Sequence, residues 1–227
     1  MKNKIILAAF ALLFASGLAA HGVADGDKAF LEQVTGMQIG PYIYLGAKHM
    51  ITGYDHLLFL FGVIFFLYRM KDITIYVTLF AVGHSTTLLF GVLTGTNFDA
   101  FLVDAIIGLS VVYKALDNMG AFEKLLGYQP NTKAAVLIFG FFHGFGLATK
   151  LQEFTISNEG LVPNIIAFNV GVEIGQILAL GSILILMSMW RRTDSFRRQA
   201  ISANTALMCA GVVLVGFQLT GYFSSVG

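Results

Sequence analysis

Residues 48–61 read KHMITGYDHLLFLF, a run apolar enough to enter a bilayer that nevertheless carries His49, Asp55 and His56. Ionisable side chains in a membrane helix cost roughly 2.5–3.5 kcal/mol each near its centre on insertion scales, so such a combination is retained for a reason. Taken as one helix at about 100° per residue, His49 and His56 fall about 20° apart on the wheel, with Thr52 and Asp55 on the same side. One polar face on an otherwise apolar segment describes a helix inside a membrane bundle.

The rest of the chain agrees. Of its 227 residues 56% are hydrophobic and only 12% charged, where a soluble domain has roughly 25% charged. Twenty-five glycines and 21 phenylalanines against three prolines suit helices that pack through small residues and face lipid with aromatic ones. Six apolar stretches, at roughly 43–67, 73–93, 100–116, 134–150, 161–189 and 202–222, each approach the ~20 residues needed to cross the hydrocarbon core. No alternating barrel pattern is present and every backbone amide in lipid must be bonded internally, so the expected fold is an all-α polytopic bundle of six transmembrane helices. The lysines and arginines lie in short loops and form no basic stripe, which sets nucleic acid aside as a partner. The single cysteine, Cys209, can form no intrachain disulfide or CxxC metal site and is expected to pack.

Residues 1–20 read as a signal peptide: Lys2 and Lys4, an apolar run from Ile5 to Phe14, then SGLAA ending at Ala20. Cleavage after Ala19 or after Ala20 fits; the second makes His21 the new N-terminus, where its amine and imidazole could chelate a metal. A single domain over 21–227 follows. With the mature N-terminus outside, the loops bearing Arg69, Lys71, Lys124, Arg191, Arg192, Arg197 and Arg198 fall in the cytoplasm. The positive-inside rule independently gives that orientation, with both mature ends outside an inner (cell) membrane.

Polar residues recur in the other stretches: His84 and Ser85 in the second, Asp104 in the third, His143 in the fourth, and Asn169, Glu173 and Gln176 at i, i+4 and i+7 in the fifth. Counting ~1.5 Å per residue from the outer helix ends places Asp104 roughly 6 Å deep, the histidines and Glu173 roughly 10–20 Å. Convergence on the outer half of the bundle favours a site over scattered packing residues, although a lone intramembrane histidine is as readily a helix-packing group. Imidazole with carboxylate suits a divalent nickel, cobalt, zinc or copper ion, and the lack of other thiolates argues against copper(I). Asp55, Ser85, Asn169 and Gln176 could be ligands, or could orient a histidine.

The strings H-x5-D-H (His49, Asp55, His56), G-H-S (His84, Ser85), F-x-H-G-x-G (His143, Gly144, Gly146) and F-N-x-G-V-E-x-G-Q (Phe168 to Gln176) resemble the HupE/UreJ family along essentially the whole mature chain. The resemblance implies a nickel or cobalt permease serving hydrogenase or urease systems. It carries the family's polar motif onto His49, Asp55, His56, His84, His143 and Glu173. In one departure, the family pattern has glutamate where this chain has Asp104.

Three functions suit these residues. The first is secondary transport of a divalent metal, nickel or cobalt before zinc, through a site set by His49, Asp55, His56, His84, Asp104, His143 and Glu173. No Walker A motif is present, so ATP is not its direct energy source. The second is a membrane-embedded zinc hydrolase with an open coordination position and Asp55 or Glu173 as general base. The third is a module that senses or delivers metal. The metal ion and membrane lipid are the expected partners, and a homo-oligomer is compatible with the sequence.

Overall fold

The computed structural model describes residues 35–152 and 159–227, and every regular element among them is helical. The expected signal peptide and His21 lie outside the described residues. The helices are α1 (Ile39–Thr52), α2 (Tyr54–Ile64), α3 (Met70–Thr94), α4 (Ala100–Asn118), α5 (Ala121–Leu126), α6 (Thr132–Gln152), α7 (Leu161–Arg191) and α8 (Asp194–Val226).

Small residues decide which helices pair. α1 packs on α7, α3 on α6 and α4 on α8. In the first pair a Cβ on Gly46 would stand 2.0 Å from the Phe168 carbonyl oxygen, and one on Gly171 2.0 Å from that of Ile43. The second pair closes on Gly83, Gly140 and Gly144, the third on Gly108 and Gly211. Such backbone-to-backbone approach is how helices associate where no hydrophobic driving force separates helix from lipid.

α2 lies among these pairs, touching α3, α4, α7 and α8. Eight of its 11 residues are buried, against an outward face on α7 and α8 that shows Ile177, Leu178, Ile185, Leu186, Val212 and Val213. An apolar exterior around a partly polar interior is the arrangement a bilayer requires. The inner core joins Leu58, Phe59, Val63, Ile64 and Phe65 of the α2 stretch to Phe80, Val111, Phe196 and Leu207.

Four helices, α3, α6, α7 and α8, are long and apolar enough to cross a membrane. The remaining two expected spans differ from the sequence reading for identifiable reasons. The stretch at 43–67 is not one helix: it breaks at Gly53 into α1 and the shorter α2. α4 has 19 residues but carries Asp104, Lys114 and Asp117. These charges are not left bare, since Asp104 pairs with Lys150, and Lys114 with Asp117. Cys209, expected to pack, is exposed on α8.

Candidate metal centre

The break at Gly53 creates the most distinctive local geometry in the chain. Gly53 has φ −71° and ψ 103°, angles open to any residue, so its glycine is required by space and not by backbone strain. A Cβ there would meet His56 Nδ1 at 2.5 Å and Asp55 Oδ1 at 3.0 Å, because both side chains fold back over the break. Asp55 Oδ1 accepts from the backbone N–H of His56 and from its ring Nδ1, each at 2.9 Å. With Nδ1–H committed to a carboxylate, His56 presents Nε2 as a lone pair, the arrangement in which histidine ligates metals. Asp55 thus acts through His56.

His143 reaches the same state by a different route. Its Nδ1 lies 2.7 Å from the carbonyl oxygen of Phe139; a carbonyl can only accept, so Nδ1 carries the proton and Nε2 the lone pair. That Nε2 is buried and has no hydrogen-bond partner, as do Nε2 of His49 and both ring nitrogens of His84. Buried polar atoms are paired in the great majority of cases, and each exception calls for an explanation. Here four such atoms belong to three histidines on α1, α3 and α6.

The rings form a chain. His49 and His56 have centroids 5.0 Å apart, and His56 and His143 5.2 Å. The wheel spacing that assumed one continuous helix does not survive the break, yet the two rings meet. His84, 1% exposed, stands close enough to interact electrostatically with the other three. Its placement follows from Gly144: a Cβ there would lie 2.2 Å from the His84 carbonyl oxygen and 2.1 Å from Thr87 Oγ1, so α3 and α6 touch at the level of both histidines. Below the imidazoles the interior turns aromatic, with Phe80 4.8 Å and Phe59 5.7 Å from the His143 ring.

Two imidazoles that share an ion at ~2.0–2.1 Å per nitrogen have centroids about 5 Å apart. The observed spacings match that value and the donor set is a borderline one suited to nickel, cobalt or zinc. Ring orientation is another matter: among the described residues no group of three or more His, Cys, Asp or Glu side chains stands ready to hold a metal ion. The donors suit an ion in kind and two of the ring spacings match a shared one, but the observed orientations do not form a coordination shell.

Other expected site residues fall elsewhere. Asp104 is 7% exposed and its Oδ2 accepts from Lys150 Nζ at 2.7 Å and from Gln218 Nε2 at 3.4 Å. Sequence reasoning missed this pair, although Asp104 lies near the start of α4 and Lys150 in the last turn of α6. Asn169, Glu173 and Gln176 do not form one buried stripe: Gln176 is 1% exposed, Asn169 is half-buried, and Glu173 is exposed. Asn169 Oδ1 and Gln176 Nε2 are also buried without partners. Ser85 is half-buried next to His84.

Fold and site together define a helical membrane protein in which four helices gather four imidazoles in a largely apolar interior. More particularly, the chain belongs to the HupE/UreJ family: the model described as "HupE / UreJ protein" matches residues 25–226, nearly its whole length. That family implies a transporter-type function tied to nickel or cobalt. Comparison with curated proteins and with solved structures gives no match.

Proposed function

We propose that the chain is a secondary permease that carries a divalent transition-metal ion, nickel or cobalt, through a site formed by His49, His56, His84 and His143. It spans the inner membrane six times as a single domain after a cleaved signal peptide, with α1 and α2 together making the first span and both ends outside. The observation that carries the reading is the set of buried imidazole nitrogens without partners, placed beside His56 and His143 whose Nδ1–H groups are already committed. Nothing in packing alone rewards three such histidines, whereas a borderline dication is the ligand that unprotonated imidazoles recognise.

Each residue then has a task. The ion is cargo, and it sheds water onto the imidazoles from the outer side. Asp55 holds the His56 tautomer and supplies negative charge near the ion. The C-terminal end of α1, where the helix breaks inside the membrane, adds the negative end of its dipole, as at broken helices of other transporters. Asp104 enters as the partner of Lys150, whose ammonium lies near His49 and His143. Glu173, on the exposed side of α7, joins the ion only if that helix turns.

Release inward requires movement, because Phe59 and Phe80 lie under the histidines. α2 is the piece suited to move. It carries His56 and Phe59 on one short helix hinged at Gly53, so a tilt about that residue displaces a ligand and the aromatic barrier together. Proteoliposomes loaded with a nickel- and cobalt-sensitive dye test the reading. Wild-type protein should carry the ion inward, and His84→Leu, which is close in volume and removes both nitrogens, should not. Binding without flux would instead indicate a delivery module, and turnover of an outer-leaflet ester without flux would indicate a hydrolase.

A further inference from the structure

Arg191, the last residue of α7, is a cation that no carboxylate neutralises among the described residues. Its Nη2 donates to the carbonyl oxygens of Ile64 and Phe65, the latter at 2.8 Å, where the α2 stretch ends. Its guanidinium lies 4.5 Å from the Tyr68 ring centroid. Nε is buried and has no partner, and among the described residues no carboxylate pairs with the side chain. Carbonyl dipoles and a ring face orient the guanidinium but do not neutralise it, and a half-buried cation at the edge of a low-dielectric region favours an anion beside it.

A groove of about 310 Å³ runs past this group. Arg191 and Tyr68 line it together with Ile73, Leu184 and Ile185. Exposed Arg69, Lys71 and Arg192 adjoin its lining residues in sequence, as does half-buried Asp72. A fixed cation, an aliphatic lining and basic neighbours match the two halves of a lipid: an anionic headgroup and the start of an acyl chain. A zwitterionic lipid would bring an ammonium to the same basic residues.

We propose that this groove binds one anionic phospholipid, its phosphate against Arg191 and its upper acyl carbons against Ile73, Leu184 and Ile185. The proposal rests on the membrane-spanning reading and is independent of metal transport. Bound lipid would tie the C-terminal end of α2 to α7 and α3 through the residue that already caps its carbonyls.

The test is native mass spectrometry of the full chain, delipidated in detergent and exposed to phosphatidylglycerol or phosphatidylcholine of matched acyl chains. Phosphatidylglycerol should be retained about tenfold better, the size that one or two basic side chains contribute near an anionic headgroup. Ile185→Trp fills the groove without touching Arg191 and should abolish that preference; Arg191→Lys should weaken it. Because Arg191→Ala also uncaps two carbonyls and risks unfolding the chain, the outcome is read from Ile185→Trp. Equal retention of the two lipids, or an Ile185→Trp variant that keeps its preference, overturns the proposal. Displacement of the bound lipid by millimolar inorganic phosphate also overturns it, since the site would then be one for free phosphate.

Discussion

Two buried polar regions of this bundle differ in one respect, whether their hydrogen-bonding groups are satisfied. Around α4 and α8 most buried polar side chains are closed on one another, the Tyr113 hydroxyl excepted. Asp104 takes Lys150 and Gln218, and Asn118 gives its amide to the Gly62 carbonyl at 2.8 Å and to Asn204 Oδ1 at 2.9 Å. Around α1, α3 and α6, His49, His84 and His143 leave buried ring nitrogens unpaired among the described residues. An unpaired buried polar group costs about 1–3 kcal/mol, so the second region is maintained against stability. The contrast separates polar groups that hold the helices together from groups held ready for something else.

The largest effect expected from that contrast is on binding. A triple variant, His49→Ala, His84→Ala and His143→Ala, should change metal content, read by elemental mass spectrometry after loading with nickel, cobalt or zinc, from stoichiometric to none. Its thermal midpoint in detergent should fall, since three rings and the hydrogen bond of His143 Nδ1 to the Phe139 carbonyl are lost, so metal content is read on the folded fraction. Undiminished metal content there would place the histidines with the structural polar groups and erase the distinction.

The satisfied region should behave in the opposite way. Lys150→Met leaves Asp104 buried opposite an apolar side chain and should cost about 3 kcal/mol, the low end of the range for breaking a buried pair because Lys150 keeps some exposure. Metal binding by whatever fraction remains folded should persist. Asp104→Leu combined with Lys150→Met should recover most of the lost stability, which a double-mutant thermal comparison would reveal as strong non-additivity. If the single change instead abolished metal binding without lowering the melting temperature, Asp104 and Lys150 would belong to the site.

Asp55 lies between the two behaviours, for it is a satisfied group that serves an unsatisfied one. Asp55→Asn still accepts from His56 but no longer supplies charge, and should weaken metal affinity by about 10–100-fold, as loss of a ligand's orienting partner does. Isothermal titration with nickel and cobalt reads this directly. An unchanged affinity would mean that Asp55 merely caps the start of α2.

The sequence made the membrane class and the all-helical fold legible, because apolar length reports on the lipid, which every span meets alike. It also made His49, Asp55, His56, His84 and His143 legible as a group, because intramembrane ionisable residues are rare enough to stand out. What escaped was relational. Period counting across residues 43–67 cannot detect a break at Gly53, since glycine is common in membrane helices and the break depends on Asp55 and His56 folding back. The Asp104–Lys150 pair joins residues 46 positions apart and required a comparison of helix ends. The exposure of Glu173 depends on which neighbours α7 has, and periodicity assigns a face without saying what covers it.

Two glycines offer the finest division between the regions. A Cβ on Gly144 would press on the His84 carbonyl oxygen and the Leu88 amide nitrogen, at 2.2 and 2.9 Å, so Gly144→Ala has to part α3 from α6. Overpacking of this kind costs about 1–3 kcal/mol or more, and a lowered melting temperature should result. On Gly53 the nearest atoms are His56 Nδ1 and Asp55 Oδ1, the far ends of two side chains, and the His49 carbonyl oxygen follows at 3.1 Å. Side chains can yield where backbone cannot, and the Gly53 angles suit alanine, which restricts the unfolded chain and so offsets the crowding by about 0.4–1 kcal/mol. Gly53→Ala should therefore leave the melting temperature nearly unchanged while pushing His56 off Asp55, lowering metal affinity by less than Asp55→Asn does. If Gly53→Ala instead melts early with affinity intact, the break is a packing feature of α1 against α2, and the hinge assigned to it has no separate function.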